Sequence, residues 1–178
     1  ELMSPLTRMR LLIELLPEHK NKVRINGEII NLKNMISNLL LSDRLDMPYA
    51  NLELTKIRFS DFLDKIIAKF PDPNSKIKVM GEIPGVELNL DEVKIGIAIR
   101  NLIDNAIKYG NSEVPIEISS IQEKEMITLS ILDHGAGIPK EEIQNLTEPF
   151  YRVKDPLNRK ITGFGLGLSI TKKIIDAH

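Results

Sequence analysis

The sequence contains no cysteine, which excludes a disulfide framework and any thiolate metal site. It has no excess charge of either sign. Lysine and arginine number 24, aspartate and glutamate 25, for a formal net charge of −1. No large field therefore recruits nucleic acid or a membrane surface. No run of about 18 apolar residues occurs, so no helix here spans a bilayer. The opening residues "ELMSPLTR" have none of the parts of a signal peptide. Internal repeats and low-complexity tracts are lacking as well. These absences lead to the expectation of a cytoplasmic location, with a parent protein free to be membrane-anchored. What is present is ordinary for a soluble globular protein: 42% hydrophobic and 28% charged residues in a chain of 178. That length fits one full domain with a smaller one, or two small domains.

Residues 1–47 read as a helical hairpin. Leu2, Leu6, Met9, Ile13 and Leu16 recur at spacings of 4, 3, 4 and 3. After the turn "PEHKNK" (Pro17 to Lys22), Ile25, Ile29, Leu32, Ile36 and Leu39 repeat the pattern. An average spacing of about 3.5 is a bundle or coiled-coil seam. Two helices alone bury too little to be stable. The hairpin is therefore expected to pair with a second copy, as a homodimeric four-helix bundle. Packing on the rest of its own chain is the alternative. The stretch "MPYANLEL" (Met47 to Leu54) reads as a linker by its proline and small polar residues, and the linker is bounded at residues 48–55.

From residue 56 to 178 the pattern changes. "KIRF" is a short strand, and Ser60 is a candidate cap for a helix from Asp61 to Phe70. "PDPNS" is a turn. "KIKVM" and "VELNL" are short alternating strands. Asp91 is placed to cap a long helix. "PIEISSI" and "MITLSIL" read as a hairpin around "QEKE". A loop-rich stretch from Gly135 to Gly165 precedes a helix from about Leu166 to Ala177. Strands mixed with helices, without regular βαβ alternation, suggest an α/β two-layer sandwich with a mixed sheet.

Three stretches carry chemistry. The first is "NLIDNAIKYG", Asn101 to Gly110. Asn101, Asn105 and Lys108 lie at i, i+4 and i+7 and share one helix face, while Ile95, Ile99, Ile103 and Ala106 fall on the other. An asparagine oxygen suits a hard cation such as Mg²⁺, and a lysine one turn on can reach a phosphate. Alone, the pattern also fits a solvated helix face. The second is "DHGAGIP", Asp133 to Pro139, directly after a strand. Gly135 and Gly137 let a backbone approach a ligand closely. The Asp133 carboxylate only accepts hydrogen bonds. It suits the exocyclic amine of adenine and repels the carbonyl of guanine. An ordinary strand-ending turn has the same residue types. The third is "GFGLGLS", Gly163 to Ser169, opening a helix, where backbone N–H groups bind anions. It lacks the Gly-Lys-Ser/Thr of a P-loop, and it follows a loop rather than the strand of a dinucleotide fingerprint.

Together and in this order, "NLIDNAIKY", "DHGAGIP", "EPFYR" (Glu148 to Arg152) and "GFGLGL" resemble the N, G1, F and G2 boxes of sensor histidine kinases. "ELMSPLTR" resembles the H box of their dimerisation domain. The resemblance covers nearly the whole chain. It implies the ATP-binding fold shared by gyrase, the ninety-kilodalton chaperone, these kinases and the mismatch-repair ATPases. It further implies ATP and Mg²⁺ as cofactors and a response-regulator receiver domain as partner. By position, Asn105 would hold Mg²⁺. Asn101, Lys108 and Tyr109 would line the phosphate and ribose side. Asp133, Gly135, Gly137 and Ile138 would surround adenine. Gly163, Phe164, Gly165, Leu166, Gly167 and Leu168 would wrap the phosphates. Residues 140–162 would form a mobile lid anchored by Phe150. From it Tyr151, Arg152, Lys154, Arg159 and Lys160 would reach toward the nucleotide. Glu1, Ser4, Asn101, Arg152 and Arg159 would stand nearest the transfer chemistry.

The resemblance also implies a phosphoacceptor histidine immediately before Glu1. His19, His134 and His178 do not match it. Glu1 fits the acid that draws off that histidine's proton. Ser4 stands where Thr or Asn is more usual, and Pro5 would kink the helix there. The family's sheet continues beyond "IIDAH" by one or two strands, so both ends read as cut from a larger kinase. Asn101 replaces the activating glutamate of the ATPase relatives. An amide takes no proton from water, which favours transfer over hydrolysis. A pseudokinase that binds ATP as a signal, and a plain ATPase of the same fold, are the alternatives.

Overall fold

The computed structural model describes residues 3–14, 20–45, 52–70, 77–111, 113–153 and 163–178, without the side chains of residues 3–5, 10 and 20. The chain divides into two compact units, Glu1–Pro48 and Tyr49–His178.

The first unit is a hairpin of α1 (Met3–Glu14) and α2 (Lys20–Leu45). Leu6 and Ile13 of α1 meet Ile29 of α2 in one buried cluster, flanked by Ile36. Each helix thus contributes positions seven residues apart. The intervening seam residues stay out of this contact: Met9, Ile25, Leu32 and Leu39 are exposed. Leu2 and Leu16, the turn around His19, and Glu1 lie outside the described residues.

In the second unit β1 (Thr55–Arg58) pairs antiparallel with β3 (Glu87–Leu90). β2 (Ile77–Val79) pairs parallel with β4 (Ile116–Glu123), which pairs antiparallel with β5 (Met126–Leu132). The three-stranded sheet is therefore mixed, as the sequence led us to expect. β4 and β5 close on the two residues Lys124 and Glu125, with Lys124 at φ +54°, a tighter turn than "QEKE". Ile116 and Ile118 of β4 are buried, whereas Thr128, Ser130 and Leu132 of β5 point to the open side. This alternation puts one face of the sheet in the core.

Three helices cover that core: α3 (Phe59–Ile67), α4 (Glu92–Tyr109) and α6 (Gly167–Ala177), with a short α5 (Lys140–Ile143) between the last two. α4 buries Ile95, Ile99, Ile103 and Ala106, the apolar face read from the sequence. α6 packs along it with Ile170 and Ile174. α3 begins at Phe59, not after a Ser60 cap, and ends at Ile67. Phe59, Phe62, Leu63 and Ile66 are all buried. That stripe draws Phe59 into the first turn, and packing outweighs the capping preference. The Ser60 hydroxyl instead donates to the Asp61 carboxylate at 3.1 Å. The turn "PDPNS" lies outside the described residues.

Candidate functional site

α4 is held at both ends, and this fixes the polar face that carries Asn101, Asn105 and Lys108. At its start Asp91 caps the helix by accepting from the Lys94 N–H at 2.9 Å. The same carboxylate accepts from the Glu53 N–H at 3.1 Å and from the Lys94 ammonium. The Asp91 N–H donates to His178 Nε2 at 3.0 Å, while His178 Nδ1 lies 2.7 Å from the Ile174 carbonyl oxygen. A donor at Nδ1 and an acceptor at Nε2 make one neutral tautomer. It links the end of α6 to the start of α4.

Burial alone pushes the Asp91 carboxyl up. Its bonds to Lys94 and to the Glu53 N–H outweigh that and hold it below its ordinary 3.8. A depressed folded value means that Asp91 stabilises the fold at neutral pH and loses that contribution as pH falls through the depressed value. Asp91→Ala is expected to cost about 2 kcal/mol at pH 7 and much less under acid conditions where the carboxyl is protonated in both states. Urea unfolding at the two pH values measures this. An equal loss at both would contradict it.

At its other end α4 abuts the Asp133 loop. A Cβ on Gly110 would lie 2.4 Å from the Ala106 carbonyl oxygen and 3.2 Å from Asp133 Cβ. A Cβ on Gly135 would lie 2.2 Å from the Tyr109 carbonyl oxygen. Only glycine permits this approach of the loop to the helix end. The Gly135 N–H donates to one Asp133 carboxylate oxygen at 2.9 Å, which sets the carboxylate while leaving its second oxygen available. Asp133 is exposed. His134, beside it, has Nε2 at 3.5 Å from the Glu117 carboxylate on β4.

The glycine-rich stretch reaches α4 from the other side. The Asn101 amide donates to the Gly167 carbonyl oxygen at 3.2 Å, at the first residue of α6. One of the two Asn101 amide N–H groups is thus engaged by protein, and no described hydrogen bond engages its oxygen. Asn105, half-buried one turn on, has no side-chain hydrogen bond to another described residue. Lys108 and Tyr109 are exposed beyond it.

The "EPFYR" stretch clasps the glycines. The Phe150 N–H donates to the Gly165 carbonyl oxygen at 2.9 Å. A Cβ on Gly165, itself at φ +71°, would lie 2.6 Å from the Tyr151 carbonyl oxygen. The Phe150 side chain is 55% exposed and its φ is +66°. Its backbone N–H makes the tie. The Tyr151 hydroxyl donates to the Glu142 carboxylate on α5. Ile138 and Phe164 are exposed and Leu168 is half-buried, but the Leu166 side chain is 3% exposed. Leu166 therefore has only backbone to offer a ligand. Gly137 is exposed at φ +75°, Gly163 is exposed, and so is Arg152. Glu1, Lys154, Arg159, Lys160 and the Ser4 side chain lie outside the described residues.

The sequence reading passed over Asp104, on the same side of α4 as Lys108. Desolvation raises its carboxyl, and Lys108 and Arg100 pull it back less strongly. The available signal was its spacing, three residues after Asn101 and four before Lys108.

The "DHGAGIP" and "GFGLGLS" stretches thus both reach α4, and "EPFYR" reaches the glycines of the latter. A half-buried amide with no hydrogen bond to another described residue is an apt single oxygen ligand for Mg²⁺. The described residues hold no group of three His, Cys, Asp or Glu side chains placed to hold a metal ion. Residues 90–178 match the family described as histidine kinase-, DNA gyrase B-, and HSP90-like ATPase. The sensor histidine kinase WalK of Bacillus subtilis is 30% identical over 192 residues, covering 100% of this chain and 31% of WalK. The sensor histidine kinase YkoH of the same organism is 50% identical over 88 residues, 49% of this chain and 19% of YkoH. Among solved structures, full-length ShkA in complex with AMPPNP superposes with a TM-score of 0.75 at 18% identity, over 98% of this chain and 38% of that one. The chain spans about a third of WalK's length. No described helix is long and apolar enough to cross a membrane.

Proposed function

The chain belongs to the histidine kinase-, DNA gyrase B- and HSP90-like ATPase family, and on that premise we propose that it is the ATP-dependent core of a sensor histidine kinase. The reaction is transfer of the γ-phosphoryl group of ATP to a histidine, then to an aspartate of a response-regulator receiver domain. The observation that carries this reading is that two of the other motifs meet α4, Asn101 being tied to Gly167 and Asp133 set against the helix end, with "EPFYR" tied to Gly165.

In this reading the second oxygen of Asp133 accepts from the adenine amine. N–H groups around Gly163, Gly165 and Gly167 meet the phosphates at the start of α6. Lys108, Arg152 and Arg159 balance phosphate charge, and Ile138, Tyr151, Phe164 and Leu168 line the approach. Asn105 would hold Mg²⁺, which supplies neutralisation of the triphosphate charge when bound. Catalysis then rests mainly on positioning and charge. The exposed Met9, Ile25, Leu32 and Leu39 support a homodimeric four-helix bundle through the hairpin. ShkA's complex with AMPPNP supports a nucleotide in the same fold.

The test concerns the residue before Glu1. The chain as it stands should bind ATP and form no phosphohistidine. A version extended at both ends, with histidine directly before Glu1 on a helical lead-in, should incorporate acid-labile label from γ-labelled ATP. Glu1→Gln in that version should lower the transfer rate about a hundredfold or more, within the range for a general base, and leave ATP affinity unchanged. Label on the unextended chain would show the acceptor to be elsewhere. No label on a folded, ATP-binding, extended dimer would favour the pseudokinase.

A further inference from the structure

Asp104 immediately precedes Asn105 and lies four residues before Lys108, on the flank of the same polar face. It is exposed, and no hydrogen bond or ion pair ties its carboxylate to another described residue. It is the only acid of α4 beyond Glu92 in the first turn. Asn105 offers one neutral oxygen, whereas Mg²⁺ is usually held through one or two carboxylates together with substrate phosphates. We infer that Asp104 is a specificity-determining residue of the nucleotide site, selecting the magnesium complex of a nucleoside triphosphate over the metal-free triphosphate. The inference rests on the ATP-binding reading above.

The physical argument is one of sign. A carboxylate on this face repels a bare triphosphate, which carries several negative charges. The same carboxylate attracts a divalent cation bridging the phosphates, directly or through a water of its shell. Asp104 therefore opposes binding when the metal is absent and assists it when the metal is present. Lys108 acts with one sign in both cases, because it attracts phosphate with or without metal. A charge that only supported Lys108 would likewise move both affinities in one direction.

The experiment is calorimetric titration of the whole chain with a non-hydrolysable ATP analogue, at fixed ionic strength, in excess Mg²⁺ and in chelator. The proteins are the unsubstituted chain, Asp104→Asn and Asp104→Glu. For Asp104→Asn the expected result is a crossing. Affinity should rise about 3-fold without metal and fall about 3- to 10-fold with it, shifts that charge interactions at a partly solvated surface can supply. Asp104→Glu should keep most of the metal dependence. Affinity shifted in the same direction under both conditions would overturn the inference, as would no change in either. If the unsubstituted chain binds no nucleotide at all, the ATP-binding reading fails and takes the inference with it.

Discussion

Asn105→Ala should lower the affinity for ATP about a hundredfold in the presence of Mg²⁺ and change it little without the metal. The substitution removes a half-buried amide on the polar face of α4 that has no side-chain hydrogen bond to another described residue. The affinity contributed by a metal-mediated contact depends on the ligand set, and losses of about 10- to 100-fold follow even when only a supporting group is removed. The fold should survive. The core-facing residues of α4 are Ile95, Ile99, Ile103 and Ala106, and alanine is the better helix former. Titration with ATP, with and without Mg²⁺, checks both halves. Equal affinities for the two proteins in Mg²⁺ would remove Asn105 from the metal site.

The second large effect concerns base selection. The unsubstituted chain should prefer ATP to GTP by about 10- to 100-fold, and Asp133→Asn should close most of that gap. The Asp133 carboxylate has one oxygen engaged by the Gly135 N–H and accepts at the other. Opposite guanine it would face a carbonyl, and two desolvated acceptors without a proton between them cost about 1–3 kcal/mol. An asparagine amide can turn its oxygen to the adenine amine or its N–H to the guanine carbonyl. The expected change is weaker ATP binding together with stronger GTP binding, read from competition titrations. Similar affinities of the unsubstituted chain for both nucleotides would contradict the assignment.

Side-chain periodicity made part of this site legible. Asn101, Asn105 and Lys108 declare a polar face because three polar groups interrupt an apolar helix at helical spacing. The Asp91 cap was legible too, since a carboxylate before a helical pattern has a local partner in the first turn. Strand pairing was not. β2 and β3 are neighbours in sequence, yet one pairs with β4 and the other with β1. Alternation tells which side chains face the core and names no partner strand. The start of α3 was misread because Ser60 is a local signal and the burial of Phe59 is a tertiary one. At Phe150 residue type does not tell which group makes the tie: the residue is 55% exposed and bonds Gly165 through its backbone N–H. Asp104 escaped notice because an acid four residues before a lysine is the ordinary pattern of a solvated helix.

The central claim is that four separated motifs form one ATP site around α4. Amide hydrogen exchange of the whole chain, with and without ATP and Mg²⁺, tests it most directly. Saturating nucleotide should slow exchange together in the second half of α4, in residues 133–137 and in residues 163–167. β1 and β3, at the start of the second unit, should exchange as before. Saturable ATP binding that leaves residues 133–137 and 163–167 unprotected would place the nucleotide elsewhere and contradict the claim.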